Sequence, residues 1–97
     1  MPRKARTAAE AVVLEAIPNI GPALAADLRL LGIEKPAQLK GRDADRLYRA
    51  LEAKTGQRQD PCVLDTFRAA VDFMNGGPAR PWWTYSALRK KSGPGTS

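Results

Sequence analysis

Residues 17–25 read Ile-Pro-Asn-Ile-Gly-Pro-Ala-Leu-Ala, and this stretch decides how the chain folds. Two prolines, one asparagine and one glycine fall within residues 18–22, between apolar runs on both sides. Such a cluster breaks regular structure and marks a tight turn. Asn19 and Gly21 both tolerate a positive φ, and we expect Gly21 to adopt one or to lie too close to the opposing helix for a side chain. The stretch predicts a rigid turn between two helices.

The segment before this turn predicts the first helix. Thr7-Ala8-Ala9-Glu10 fits a capping box, with Thr7 as the N-cap and Glu10 three residues later. The helix should end before Pro18, because the residue preceding a proline avoids the α region. Its apolar side chains recur every three or four residues, so they predict one helix face that packs on the core. That face consists of Ala9, Val12, Val13, Ala16 and Ile17.

The segment after the turn predicts the remaining helices. The second helix starts at Pro22, and Gly32 is expected just beyond its end, followed by Ile33 as the apolar contact. The later signals are a short helical turn at 36–39, a helix from Asp43 to Thr55-Gly56, and a helix from Asp60-Pro61 to Asn75-Gly76. No segment alternates with a period of two. The chain therefore predicts an all-α, compact bundle of about five helices.

Length and charge set the domain organisation. The 97 residues suffice for one small domain, expected at 7–88, with a flexible basic arm at 1–6 and a disordered basic tail at 89–97. The net charge of +6 is concentrated at the two ends, whereas residues 11–79 contain equal numbers of bases and acids. Basic ends attract DNA phosphates in a salt-dependent way, and they also keep a small protein in solution.

Composition argues against several function classes. One cysteine and no histidine argue against a disulfide framework and the common zinc sites, so we expect no metal, no cofactor and a cytoplasmic location. No apolar run is long enough for a membrane span or a secretory signal, and no membrane partner is expected. The sequence shows no candidate catalytic nucleophile with a base to activate it, so we expect that the protein is not an enzyme. Cys62 starts a helix, where a redox thiol is conceivable, but neighbouring Asp60 and Asp65 oppose a thiolate and favour a structural thiol.

Several segments together resemble the bacterial pathogenicity-locus or mitomycin-resistance-like family of helix-hairpin-helix proteins. They are residues 14–33, Leu47-Tyr48, Thr55-Gly56, residues 60–65 and Pro81-Trp82-Trp83. The resemblance covers most of residues 12–90 and implies a SAM-like helical domain containing a helix-hairpin-helix motif. In that motif, backbone N–H groups at the turn and at the start of the second helix hold a DNA phosphate without reading the bases.

The resemblance implies sequence-independent binding to the phosphate backbone of double-stranded DNA. The candidate contacts are Asn19, Ile20, Gly21, Pro22, Ala23, Leu24, Arg29, Lys90 and Lys91. The sequence departs from the motif at two places. Asn19 stands where the motif has a glycine, and Pro22-Ala23-Leu24 stand where DNA-binding hairpins often have a lysine or arginine. Asp27 nearby would repel phosphate.

An alternative function is a protein-interaction module that uses the hairpin or the aromatic segment at Trp82, Trp83 and Tyr85. These aromatic side chains are suited to docking a protein partner or to stacking on bases. They are also suited to covering a small core, because large aromatic residues are highly buried on average. The neutral body of the chain favours the protein partner, and the basic ends favour DNA.

Overall fold

The structure, a computed structural model, describes residues 3–92. In this range the fold is all-helical, with four α-helices, three short 3-10 turns and no β-strand. The α-helices are α1 (Pro22–Leu30), α2 (Ala44–Thr55), α3 (Pro61–Met74) and α4 (Trp82–Ser92). The 3-10 turns are Ala8–Glu10, Leu14–Ala16 and Pro36–Leu39. The all-α prediction is confirmed. No helix in this range is both long and apolar enough to cross a bilayer.

Local capping residues set the ends of α2 and α3, as the sequence predicts. The Asp43 carboxylate accepts the N–H groups of Asp45 and Arg46, and Gly56 closes α2 in the left-handed conformation with a φ of 68°. The Asp60 carboxylate accepts the N–H of Cys62 at the start of α3. These bonds pair backbone groups that have no partner inside the helix.

Helix α3 is the centre of the core and packs against both α2 and α4. Phe67 and Phe73 of α3 are almost completely buried, and Leu51 of α2 is buried beside them in the same core cluster. Phenylalanine removes more apolar surface from water than any aliphatic side chain, so α3 contributes the largest share of hydrophobic stabilisation per residue.

Helix α4 extends beyond the predicted domain end at residue 88, through Ser92, into the segment expected to be a disordered tail. No glycine or proline occurs between Trp82 and Ser92 to stop it. Two side-chain hydrogen bonds join it to α3: Ser86 donates to the buried Asp65, and Tyr85 donates to Asp72. Residues 93–97 of the predicted tail lie outside the described part of the chain.

The predicted first helix does not form. Two 3-10 turns, Ala8–Glu10 and Leu14–Ala16, replace it, and the chain is extended between them. Thr7 makes no side-chain cap, and the Glu10 carboxylate accepts the N–H of Arg6 instead. The predicted apolar face is wrong at Ala9, Val12 and Val13, which are exposed, with Val12 at 75%, and it is right at Ala16 and Ile17, which are buried. The 3-10 geometry buries Leu14 and Ile17 together, which compensates for the poorer local hydrogen bonds.

Residues 3–6 are attached to the folded domain, whereas the sequence predicts a flexible arm. The N–H of Ala5 donates to the carbonyl of Ala16 at 2.8 Å, and the Ala5 side chain is only 8% exposed. The neighbouring Lys4 ammonium reaches the same segment. This contact brings the basic start of the chain beside the turn.

Candidate functional site

The predicted turn (residues 17–24, called the turn below) connects the second 3-10 turn to α1. Ile20 is fully buried and anchors it, with its N–H donating to the Ile17 carbonyl at 3.1 Å. Asn19 has a φ of 73°, in the left-handed region. Gly21 has a φ of −93° and a ψ of −175°, with no atom within 4 Å of the position its Cβ would take. The expectation of positive φ or close approach at Gly21 is therefore wrong, and Asn19 has the strained conformation instead.

The start of α1 presents backbone donors. Within residues 3–92, the N–H groups of Gly21, Ala23 and Leu24 donate to no protein acceptor, while the N–H of Ala25 donates to the Gly21 carbonyl at 2.9 Å. Pro22 has no N–H and occupies the first helical position, as predicted. Donors at the N-terminal end of a helix dipole favour negative charge. Phosphate oxygens are acceptors of that kind.

The Asn19 side chain connects the turn to the start of α4. Its Nδ2 donates to the Arg80 carbonyl at 2.7 Å, and its Oδ1 accepts the N–H of Trp82 at 3.3 Å. Asn19, which is among the predicted phosphate contacts, thus has its side-chain amide engaged inside the molecule. The two surfaces that the sequence treats as alternatives, the turn and the aromatic segment, lie next to each other.

The three predicted partner-binding aromatic residues differ in accessibility. Trp83 is 60% exposed, and Trp82 is partly buried and meets it edge-on with ring centroids 5.8 Å apart. Tyr85 is buried against α3, which raises its pKa to about 12, with a further contribution from the Asp72 hydrogen bond. Tyr85 therefore belongs to the core, and Trp83 is the residue of the three that solvent reaches most.

The Lys4 ammonium lies against the turn, among three backbone carbonyls. Its Nζ donates to Glu15 at 2.8 Å, to Ile17 at 3.1 Å and to Ile20 at 2.6 Å. Burial of the ammonium lowers the pKa of Lys4, and the nearby Glu15 carboxylate acts in the opposite direction. Lys4 places a positive charge directly behind the turn.

Of the predicted basic contacts, Arg29 is already paired. Both carboxylate oxygens of Glu15 accept hydrogen bonds from the Arg29 guanidinium, at 2.9 and 3.0 Å. This pairing lowers the pKa of Glu15 and raises the pKa of Arg29. Because the pair is neutral overall, Arg29 adds little attraction for phosphate. The side chains of Lys90 and Lys91 lie outside the described part of the chain.

Two basic residues at the turn are absent from the predicted site. Arg80 is exposed and its carbonyl is fixed by Asn19, and Lys4 bonds to the turn as described above. Both belong to the basic ends of the chain, for which the sequence predicts attraction to DNA but no position. An exposed basic residue directly before a proline gives no local signal for a contact 61 residues away.

Cys62 is half-buried in the first turn of α3, and its N–H is capped by Asp60. In the described residues, no group of three or more cysteine, aspartate and glutamate side chains gathers as a metal site would. The structural role predicted for the thiol stays a prediction.

Comparison with known proteins identifies the family. The family described as pathogenicity locus matches residues 7–91. The chain belongs to the pathogenicity-locus family. It is 44% identical over 85 residues to a protein named mitomycin resistance protein McrB from Streptomyces lavendulae, covering 88% of this chain and 81% of that relative. No solved structure matches this chain. Membership of the pathogenicity-locus family, predicted from the sequence, is confirmed.

Proposed function

We propose that this chain binds the phosphate backbone of DNA at the turn, without reading base sequence. The observation that carries the proposal is the group of three backbone N–H donors at Gly21, Ala23 and Leu24 with no protein acceptor in the described residues. Charged oxygens shorten and strengthen such hydrogen bonds, and backbone groups contact phosphates of every sequence alike.

The charges around the turn support an anionic ligand. Lys4 donates to carbonyls of the turn, Arg80 is joined to Asn19 through its backbone carbonyl, and Arg3 and Arg6 flank the docked residues of the arm. Glu10 and Glu15, the acids of this region, are engaged with Arg6 and Arg29. Asp27 is partly desolvated, which raises its pKa. The basic residues around the turn therefore outnumber the acidic ones, although residues 11–79 are neutral overall.

A titration with labelled duplex DNA tests the proposal. We expect backbone amide shifts to concentrate at 20–24, with affinity that falls as salt rises and does not depend on sequence. Shifts confined to the two ends of the chain, away from the turn, would contradict it. Replacing Lys90 and Lys91 with glutamine measures how much of the affinity comes from the end of α4.

A matched pair of charge variants locates the contact. Ala23 and Ala37 each follow a proline at the first position of a helical turn, and both are exposed. Ala23→Lys should tighten DNA binding about three- to tenfold at low salt, since it adds one partly exposed charge beside the donors. Ala37→Lys should change affinity much less. Equal effects of the two substitutions would place the DNA elsewhere.

A protein-interaction module is the second candidate, and a specific observation favours it. The outer face of α1 is apolar at Ala23, Ala26 and Leu30, which are all exposed and spaced to lie on one side of the helix. Leu30 is 47% exposed. If duplex DNA produces no amide shifts at low salt, this face becomes the leading site, and Leu30→Glu is the substitution that would disrupt it.

A further inference from the structure

Trp83 is the exposed residue whose position is hardest to explain by folding alone. Among the side chains described, those of residues 3–87, the large hydrophobic ones that are exposed are Val12, Val13, Leu30 and Trp83, and Trp83 is the one aromatic residue among them. Indole has the largest apolar surface of any side chain, so leaving it 60% exposed forgoes stabilisation that burial would supply. Tyr85, two residues later in the same helix, is buried.

The position of Trp83 is fixed relative to the turn. Asn19 holds the Arg80 carbonyl and the Trp82 N–H with its single amide group, so the residue before Trp83 is bonded to the turn. The Trp82 ring meets the Trp83 ring edge-on, at an interplanar angle of 82°, and supports it from one side. A side chain held in this way loses little conformational freedom when it binds.

The chemistry gathered here matches one nucleotide. The turn offers backbone donors, Lys4 places an ammonium against its carbonyls, and Trp83, which follows the residue bonded to Asn19, offers an exposed ring. A nucleotide combines an anionic phosphate with a flat aromatic base, and single-strand-binding proteins use basic grooves with aromatic platforms.

We propose that Trp83 stacks on an unpaired base of the DNA whose phosphate lies at the turn. The preferred ligand is then DNA with a single-stranded gap, rather than a continuous duplex. In a continuous duplex each base is covered by its neighbours, and an indole reaches a base face only where the stack is interrupted. Every base has such a face, so stacking is compatible with sequence-independent binding. The inference rests on the proposed phosphate contact at the turn.

The test compares two DNA ligands of the same sequence, a continuous duplex and a duplex with a gap of a few nucleotides in one strand. We expect the wild-type protein to bind the gapped DNA at least about fivefold more tightly, the effect of one stacked base. Trp83→Leu should lose this preference and keep the affinity for the continuous duplex. Val12→Ser removes another exposed apolar side chain and should keep the preference.

Fluorescence gives a second readout that does not depend on affinity. In Trp82→Phe, Trp83 is the remaining tryptophan of the chain, and its emission should be quenched by gapped DNA but not by continuous duplex. Circular dichroism of each variant checks that the helices are retained, and Trp83→Phe should keep part of the preference through its smaller ring.

The outcomes separate the two proposals. Equal affinity of the wild-type protein for both DNAs overturns the stacking inference and leaves the phosphate contact in place. A preference for gapped DNA that survives in Trp83→Leu assigns the stacking to another residue and overturns the role of Trp83. Absence of binding to either DNA at low salt overturns the proposed function and the inference with it.

Discussion

The two halves of the molecule are held in different ways. In the half formed by α2 and α3, the helices are capped by neighbouring residues. Asp43, Gly56 and Asp60 bond to backbone groups within four positions in the sequence. In the half that contains the turn, the stabilising bonds join distant residues. Lys4 bonds to carbonyls up to 16 positions away, and Asn19 bonds to groups more than 60 positions away.

The difference follows from how each half pairs its backbone groups. A regular helix pairs nearly all of its own N–H and C=O groups, and only its ends need other partners. The segment 8–21 has two short 3-10 turns joined by extended residues, so several of its carbonyls are left for other parts of the chain. Side chains such as Lys4 and Asn19 supply the missing partners. Function is proposed at the irregular half, where backbone donors at the turn are also left over.

The largest effect is expected in the regular half. Phe67→Ala removes a fully buried ring at the centre of α3 and should lower the free energy of unfolding by about 3–5 kcal/mol. Urea unfolding followed by circular dichroism measures it. Val12→Ala, at a site that is mostly exposed, should change stability by less than about 0.5 kcal/mol. A loss for Phe67→Ala below that of the turn variants would show that the irregular half dominates stability.

Asn19→Ala tests the long-range clamp of the irregular half. It removes two hydrogen bonds to the start of α4 and leaves an alanine with a φ near 73°, so the expected loss is about 2–3 kcal/mol. Asn19→Gly removes the bonds but accepts the backbone conformation, and should lose only about 1 kcal/mol. The difference between the two losses in urea unfolding isolates the backbone strain. Equal losses would mean that the side-chain bonds account for the whole effect.

Lys4→Met tests the attachment of the arm. Methionine keeps most of the apolar stem but removes the three bonds to backbone carbonyls, two of which belong to the turn, and the expected loss is about 1–2 kcal/mol. Lys40→Met, at an exposed lysine directly after the third 3-10 turn, is the control and should change stability by less than about 0.5 kcal/mol. Amide hydrogen exchange at Ala5 should become faster in Lys4→Met alone. Unchanged exchange would mean that the Ala5 bond to Ala16 holds the arm by itself.

The sequence predicts the elements whose causes are local. Asp43 and Asp60 mark the starts of α2 and α3 because an N-cap acts within three residues. The same logic fails at Thr7 and Glu10, where the capping-box pattern is present but Glu10 accepts the N–H of Arg6. The 3-10 turns there follow from the burial of Leu14 and Ile17 in the core, which local helix propensity does not predict.

Helix α4 and the geometry of the site depend on contacts that the sequence pattern does not display. Tyr85 and Ser86 of α4 bond to Asp72 and Asp65 of α3, and polar bonds of this kind leave no apolar period in the sequence. The left-handed conformation open to Asn19 was predictable from its residue type, but its partners at Arg80 and Trp82 were not. Proximity of Trp83 to the turn is likewise a property of the tertiary fold.

The smallest effect on stability is expected at Gly21, where the turn meets α1. Its φ of −93° and ψ of −175° suit any residue, and a Cβ would meet open space. Gly21→Ala should therefore leave stability unchanged or raise it by about 0.4–1 kcal/mol, because alanine has fewer unfolded conformations to lose. A loss above about 1 kcal/mol in urea unfolding would show that the position needs glycine for folding.

Gly21→Val separates folding from binding at the same residue. Valine accepts extended backbone, so the protein should remain folded with stability close to that of the wild type. Its branched side chain would nevertheless stand beside the donors of Gly21 and Ala23 and obstruct a phosphate. We expect DNA affinity to fall by about tenfold or more while the urea midpoint stays constant, since loss of one charged hydrogen bond is worth about 1.5–3 kcal/mol. If affinity is also unchanged, the donors at the start of α1 do not contact phosphate, and the apolar outer face of that helix becomes the better site.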